Sequence, residues 1–423
     1  MDQKNQSRWE GIRKSLGPGL LMAGAAIGGS HLVQSTRAGA DYGFALVIFI
    51  FLANLFKYPF FEYGPRYTAA TGQNLLEGYR RLGNWALYLF IAFTFITMFI
   101  IVAALTTVTA GLAGNMLGLN WNPALLSALL MMICISILLG GKYPLLDRIT
   151  KIIVVILSLS TVVAVIAVLF HGRFFPAPES TPHLWTVGGI SFIVALMGWM
   201  PSVVDISVWH SLWTLERQKQ TNHRPKLKEA LIDFNIGYIG TALLAFLFVT
   251  LGAMVMNGSG ETFSNSTVKF AGQLVLLYTN SLGSWAGPVI AIAAFTTMFS
   301  TTLVVTDAYP RVIRQSAVML FPDLGKNPGN TEWVYRLAMI GIAVVAMAII
   351  LFFKSQIKTL IDLATTLSFL TTPVLAYINY KVIRSAEVPK AQQPGTIMRW
   401  LSQAGIIFWT VFVFIFLYIK FIR

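Results

Sequence analysis

Long runs of apolar residues recur from one end of the chain to the other, with short polar stretches between them. Most runs are about 20 residues or longer, the length that an α-helix needs to cross roughly 30 Å of hydrocarbon. The pattern predicts an all-α polytopic membrane protein with eleven spans. Their approximate bounds are 17–40, 43–70, 84–112, 123–140, 148–170, 186–213, 230–256, 282–307, 333–353, 358–380 and 399–420.

The sixth predicted span, residues 186–213, is interrupted near its middle. It carries Gly198, Met200 and Pro201 there, and Asp205 follows within two turns. A proline removes a backbone donor and clashes with the preceding helical turn. Non-helical backbone at membrane depth is tolerated only where it lines a cavity or is buried in protein. We therefore expect this segment to be unwound and to contact the substrate.

The first predicted span repeats this feature. Gly28 and Gly29 lie near its centre and precede the polar pair Ser30 and His31. Each glycine costs a helix interior about 1 kcal/mol relative to alanine. Close helix packing through small residues is one explanation, since it is common in membranes. We expect instead an unwound segment that faces the substrate, because interruptions at matching positions in two halves of a chain indicate a transporter's midplane site.

The two interrupted spans divide the chain into two five-helix halves. We predict repeats at residues 17–170 and 186–380, an N-terminal tail at 1–16, and a linker with an eleventh span at 381–423. The second repeat is expected to be inverted relative to the first, as in many transporter folds.

Basic residues alternate between the two predicted sides of the membrane. The N-tail and every second connection after it hold 22 of the 31 Lys and Arg residues, whereas the opposite set holds 7. Cytoplasmic loops of membrane proteins carry the excess of Lys and Arg. The bias therefore predicts a plasma (inner) membrane protein with a cytoplasmic N-terminus and an external C-terminus.

Composition supports this class and excludes others. Hydrophobic residues make up 56% of the chain and charged residues 11%, against about 25% charged in ordinary soluble domains. The net charge of +14 is explained by the loop bias and by contact with lipid, so we expect no nucleic-acid partner. The single cysteine, Cys134, provides no disulfide framework. We find no nucleophile–base or metal constellation of an enzyme and expect no cofactor.

Several motifs resemble those of the natural-resistance-associated macrophage protein (Nramp) family of divalent-metal transporters. The Gly17-Pro18-Gly19 start of span 1, the pair Gly43-Phe44 and a TG-x-x-L motif at 71–75 occur in a similar order. Met200-Pro201 with His210-Ser211 and the segment 367–380 are similar to that family's spans 6 and 10. The resemblance implies a leucine-transporter-like fold, with five plus five helices and one more, and usually metal import with protons.

The departures from this family concern its metal site. The family's span 1 has an Asp-Pro-Gly-Asn motif whose Asp and Asn ligate the metal, and those positions are here Gly28, Gly29, Ser30 and His31. Span 3, which usually holds acids for proton relay, has none in residues 95–114. Hard divalent ions need oxygen ligands, usually carboxylates. We therefore expect the usual metal site to be altered and predict no micromolar binding of Mn²⁺.

Candidate substrate residues surround the two interruptions, with two hydroxyl groups added from span 10. They are Gly28, Gly29, Ser30, His31, Met197, Met200, Pro201, Asp205, Thr365 and Thr366. Thioether and imidazole groups suit softer metals. Met200, His31 and Asp205 are therefore the candidate metal ligands if a rearranged site exists.

Candidate coupling or gating residues are His210, Glu62, Lys57 and Arg66. Histidine titrates near physiological pH, which suits a proton-release step. Glu62 and Arg66 share a helical face at i,i+4 spacing and are expected to pair. Lys57 lies about 140° away from Glu62 around a regular helix and so needs a partner on another helix. Packing or capping by Asp205 and His210 is the alternative to a coupling role.

The sequence predicts a secondary transporter that works by alternating access in the lipid bilayer. Its substrate is expected to be a small cation or a metal ion, with H⁺ or Na⁺ as the coupling ion. Two alternatives remain open: a divalent-metal importer with a rearranged Met/His/Asp site, and a receptor or sensor that binds without transport. The sequence leaves the oligomeric state open.

Overall fold

The computed structural model describes residues 3–119, 121–176, 178, 183–283, 287–353 and 356–422. In those ranges the chain is helical and has no strand. The helices are α1 (Gln3–Ser15), α2 (Pro18–Ala26), a π-helical segment (Ile27–Ser35), α3 (Thr36–Tyr42), α4 (Val47–Thr71), α5 (Leu75–Leu82), α6 (Asn84–Leu117), α7 (Pro123–His171), α8 (Val187–Trp199), α9 (Ile206–Thr221), α10 (Leu227–Val255), α11 (Thr267–Leu282), α12 (Gly287–Leu320), α13 (Pro328–Phe353), α14 (Ile357–Ile383) and α15 (Thr396–Phe421).

Each of the eleven predicted spans corresponds to a helix or a helix pair. Within the described ranges, eight helical stretches are long and apolar enough to cross a membrane, and a ninth is the bent pair Trp9–Ser15 and Pro18–Tyr42. The other two predicted spans are α4, whose 25 residues include three charged side chains, and the pair α8 and α9.

The first span differs from its prediction. Its α-helical hydrogen bonding is interrupted as expected, but the interruption is the π-helical segment and not an unwound one. The backbone hence stays helical from Pro18 to Tyr42. A π-helix accommodates the same change of register while satisfying its own backbone groups. The prediction of unwinding in span 1 was therefore wrong.

Two connections also differ from their predictions. The connection between spans 4 and 5 is helical, so that both spans lie in α7. The segment after span 7 contains α11, which the sequence analysis read as part of a connection.

The contacts between helices repeat when the two halves are exchanged. Span 1 (α2, the π-helical segment and α3) packs on α10, the second helix of the other half. Span 6 (α8 and α9) packs in the same way on α4. Span 1 also contacts α7, as span 6 contacts α14, and the third helices of the halves, α6 and α12, pack on each other. This pairing is expected of an inverted repeat around a central site.

Span 1 and α10 approach closely because glycines lie between them. A β-carbon on Gly39 would overlap the carbonyl oxygen of Val249, and one on Gly252 would overlap that of Thr36. Small residues at such positions let transmembrane helix backbones pack against each other.

We predict that Gly252→Ala destabilises the protein. The added methyl group must push the two backbones apart, and overpacking of this kind costs about 1–3 kcal/mol. Gly240→Ala is the matched control, since it lies in the same helix and its β-carbon would meet no atom within 4 Å. Thermal unfolding in detergent should show a lower midpoint for Gly252→Ala alone. Equal midpoints for both variants would refute the close contact.

Candidate functional site

The interruption in span 6 begins at Met200 and ends where α9 starts at Ile206. Met200 is extended, with φ −89° and ψ 118°, as expected for a residue that precedes proline. Gly198, just before it, lies against the carbonyl oxygen of Thr365 in α14, and any β-carbon there would overlap that atom. Span 6 is thus unwound as predicted, and its backbone packs directly against the backbone of span 10.

A helix that ends inside the protein leaves its last carbonyl groups without helical partners. Here Lys57 of α4 provides hydrogen-bond donors for these carbonyl groups. Its Nζ donates to the carbonyl oxygens of Met197, Gly198 and Ser202 at 2.9, 2.7 and 3.0 Å. The side chain is fully buried. Lys57 therefore finds its expected partner on another helix, and that partner is backbone rather than a carboxylate.

Two further groups surround this ammonium. The ring of Trp409 in α15 lies 5.1 Å from Nζ, within the range of a cation–π interaction. Asp205 is buried at the start of α9 and interacts electrostatically with Lys57. Although Asp205 occupies the N-cap position of α9, its side chain makes no capping hydrogen bond.

The π-helical segment of span 1 contacts the interruption in span 6 through Ser30. The Ser30 hydroxyl lies 2.8 Å from the carbonyl oxygen of Pro201 and 2.5 Å from that of Ala26. The backbone N–H of Gly28 donates to the hydroxyl of Thr301 in α12 at 3.2 Å. Spans 1, 6 and 8 thus meet at this level.

His31 points to the neighbouring span 7 and not into the site. Its Nε2 lies 2.7 Å from the carbonyl oxygen of Thr241, so Nε2 carries the proton. Its Nδ1 lies 2.5 Å from the Ser30 hydroxyl. Both nitrogens are engaged, which leaves no lone pair free for a metal ion in this conformation.

A small cavity separates spans 1 and 6. Every residue around it is buried: Ala25, Ala26, Gly29, Ser30, Ile101, Leu105, Trp199, Ser202, Val203, Trp209 and Val305. The space left for water-sized molecules is about 20 Å³, enough for about one water molecule.

Some candidate residues reach this cavity and others do not. Gly29 and Ser30 line it, whereas Met200, His31 and Asp205 do not. The structure therefore does not assemble the candidate metal set around the cavity. Among the described residues, no group of three or more His, Cys, Asp or Glu side chains is placed to hold a metal ion.

The two span-10 threonines also lie outside the lining. The hydroxyl of Thr365 donates back to its own helix, to the carbonyl oxygens of Ile361 and Asp362 at 2.9 and 3.0 Å. Thr366 is half-buried. Ser368 of span 10 instead contacts the lining, because it accepts a hydrogen bond from Trp199 Nε1 at 3.1 Å. The sequence pattern gave no indication of this role.

None of the coupling candidates lines the cavity. Arg66 binds Glu62 with two nitrogens at 2.6 to 3.0 Å, as the spacing predicted, and also donates to the carbonyl oxygen of Gln392. His210 is buried, and its Nε2 lies 3.5 Å from Oδ2 of Asp233 in α10.

Asp233 binds the start of span 1, a role that the sequence analysis missed. Its two carboxylate oxygens accept from the backbone N–H groups of Gly17 and Gly19 at 2.8 and 2.7 Å. A carboxylate is favourable at a helix N-terminus because of the free N–H groups and the helix dipole. His210 thus contacts the residue that holds the N-terminal end of span 1.

Asp362, near the start of span 10, binds Arg37 of span 1 through two hydrogen bonds of 2.7 and 3.3 Å. Gln34 also donates to Asp362. This cluster joins span 1 to span 10 at the end opposite to Asp233.

Comparison with known proteins gives the family. Residues 19–419 match the family described as "Natural resistance-associated macrophage protein-like". The chain belongs to the Nramp family. Nramp proteins are membrane transporters and not enzymes, so this multi-pass protein lies in a lipid bilayer.

One relative and two solved structures are also similar to this chain. An uncharacterized protein of Pasteurella multocida (strain Pm70), PM0681, is 37% identical over 418 residues, which cover 98% of this chain and 94% of that protein. A manganese transporter of Eremococcus coleocola, solved with an aromatic bis-isothiourea substituted compound, matches with TM-score 0.69 and 15% identity over 98% of this chain and 87% of that chain. MhsT in complex with L-phenylalanine matches with TM-score 0.62 and 15% identity over 94% and 98% of the two chains. The predicted leucine-transporter-like fold is confirmed.

We predict that His31→Ala lowers stability, because it deletes a fully buried side chain and takes its hydrogen bond from the Thr241 carbonyl oxygen. A buried polar group left unpaired costs about 1–3 kcal/mol. His183→Ala removes the same side chain from an exposed position and serves as the control. The thermal unfolding midpoint is the measurement. A His31→Ala variant as stable as wild type would contradict the structural role.

Proposed function

We propose that this chain is a secondary transporter that works by alternating access and carries a small polar solute in place of a carboxylate-bound divalent metal ion. It lies in the plasma membrane with its N-terminus in the cytoplasm, and it is coupled to protons. The observation that carries the proposal is the lining of the cavity between spans 1 and 6. That lining consists of apolar side chains, two serines and two indoles, with no ionisable group.

This lining is unsuitable for a hard divalent ion. Such an ion needs several oxygen ligands, and proteins usually provide carboxylates. Here the family's span-1 ligand positions are glycine, serine and histidine, and the histidine is bound to Thr241. The ammonium of Lys57 also lies beside Ser202, which lines the cavity. A fixed positive charge beside the cavity wall opposes the entry of a cation into the cavity.

The proton step is assigned to His210 and Asp233. Neither ring nitrogen of His210 has a hydrogen-bond partner among the described residues, and the carboxylate 3.5 Å from Nε2 holds the start of span 1. Protonation of His210 creates an ion pair with Asp233 and weakens the hold of Asp233 on Gly17 and Gly19. Asp233 also lines a small cavity with Arg217 and His223, which connects it to other charged groups at this end.

For the cargo, we predict that wild-type protein binds neither Mn²⁺ nor Cd²⁺ in calorimetric titration at micromolar concentration, where binding corresponds to about −8 kcal/mol. Proteoliposomes should show no uptake of either ion. Acidification of a dye-filled lumen should instead accompany the addition of one or more solutes from a panel of neutral amino acids, polyols and small amides.

Tight Mn²⁺ binding that is lost in Met200→Ala would overturn this proposal and favour a divalent-metal importer. Binding of a solute from the panel without movement across the sealed bilayer would favour a receptor or sensor.

For the proton step, we predict that His210→Gln flattens the pH dependence of uptake, because a glutamine side chain cannot take up the proton. Asp233→Asn should have the same effect, because it removes the charge that protonated His210 faces. His171→Gln is the matched control, since His171 stacks on Phe174 at the end of α7, away from this pair. A His210→Gln variant that keeps the wild-type pH profile would exclude His210 from the proton step.

A further inference from the structure

Lys57 is held in a manner unusual for a buried lysine. Its three hydrogen bonds all go to backbone carbonyl oxygens of one interrupted helix, at 2.7 to 3.0 Å. The residues that provide them are Met197 and Gly198 at the end of α8 and Ser202 in the unwound segment. These three hydrogen bonds therefore depend on the backbone path of span 6 and not on an acidic side chain.

The number of acceptors around Nζ favours the charged form of this group. A neutral amine has two N–H donors, whereas an ammonium has three. Three acceptors within hydrogen-bond distance of Nζ are all satisfied only by the ammonium. Asp205 and the face of Trp409 add negative potential, and the last turn of α8 adds the negative end of its helix dipole.

The same oxygen atoms form a set suited to a free monovalent cation. Unwound carbonyls and the C-terminal ends of half-helices coordinate Na⁺ in transporters with discontinuous helices. Carbonyl oxygens also replace the hydration shell of K⁺ in channels. Here the position is occupied by a side chain of the protein, which enters from α4.

We propose that the interruption of span 6 is a monovalent-cation site that Lys57 occupies with its own ammonium group. The protein therefore needs no Na⁺ or K⁺ to hold this segment, and removal of the side chain opens the site to a free cation. Lys57 occupies this site whatever solute the protein carries.

The test uses full-length protein in detergent at constant ionic strength, with choline as the reference cation. Lys57→Ala removes three carbons and one nitrogen, which are the heavy atoms of propylammonium. Addition of propylammonium chloride, or of NaCl, should raise the unfolding midpoint of Lys57→Ala by at least about 2 °C, as expected when a ligand binds only the folded state. Wild type should respond to neither cation.

Lys57→Met is the matched control, since the methionine side chain fills the space of the lysine side chain without a charge. It should be less stable than wild type and should not respond to either cation. A Lys57→Ala variant that responds to neither propylammonium nor Na⁺ would overturn the proposal, as would a wild-type protein that Na⁺ stabilises.

If Lys57→Ala does not accumulate in the membrane, the accumulation of Lys57→Arg is measured in its place. Arginine keeps the positive charge and several donors, so accumulation of Lys57→Arg together with a cation-insensitive wild type supports a required cation at this position. Failure of Lys57→Arg as well would count against the proposal, because charge would then not be the property that matters.

Discussion

The ammonium of Lys57 on the carbonyl oxygens of span 6 is the interaction on which the centre of this protein depends. Pro201 interrupts the helix, and the interruption leaves buried carbonyl groups without helical partners. A buried carbonyl without a partner is costly in an apolar medium. Lys57 donates to three of these groups and the Ser30 hydroxyl reaches the Pro201 carbonyl. Spans 1, 2 and 6 are therefore joined at one point.

The surrounding contacts connect this centre to both ends of the molecule. At one end Asp233 holds the start of span 1 and faces His210 of span 6. At the other end Arg37 of span 1 binds Asp362 of span 10. Between them the glycines of span 1 and α10 bring two backbones into contact. A movement of span 1 therefore changes its contacts with α10 and with span 10, as the proposed alternating access would require.

The sequence predicted the features that depend on local chemistry. Pro201 identified the interruption in span 6, and the i,i+4 spacing of Glu62 and Arg66 predicted their ion pair. Features set by distant contacts were missed or wrong. The partner of His31 lies 210 residues away in α10, and Asp362 binds Arg37 although a lysine lies one turn away. Adjacent glycines weaken an α-helix, but they do not distinguish an unwound segment from a π-helix, because both relieve the same conformational preference.

The site residues also divide into those that local sequence predicted and those that depend on distant contacts. Gly29 and Ser30 line the cavity as the interrupted span predicted, whereas Met197 contributes its carbonyl oxygen and not its side chain. Ser368, Trp409 and Asp233 were missed because serine, tryptophan and a helix-end aspartate are common in membrane helices and carry no spacing signal. Their roles follow only from the packing of α14, α15 and α10 around span 6 or the start of span 1.

The most direct test of the role of Lys57 is a density map of the Lys57→Met variant, determined by electron cryo-microscopy beside wild type. We expect the backbone from Met200 to Asp205 to depart from its wild-type conformation, because its carbonyl groups have lost their donor. The other helices should keep their wild-type positions. An unchanged segment in the variant would contradict the account, because the interruption would then be held without the ammonium group.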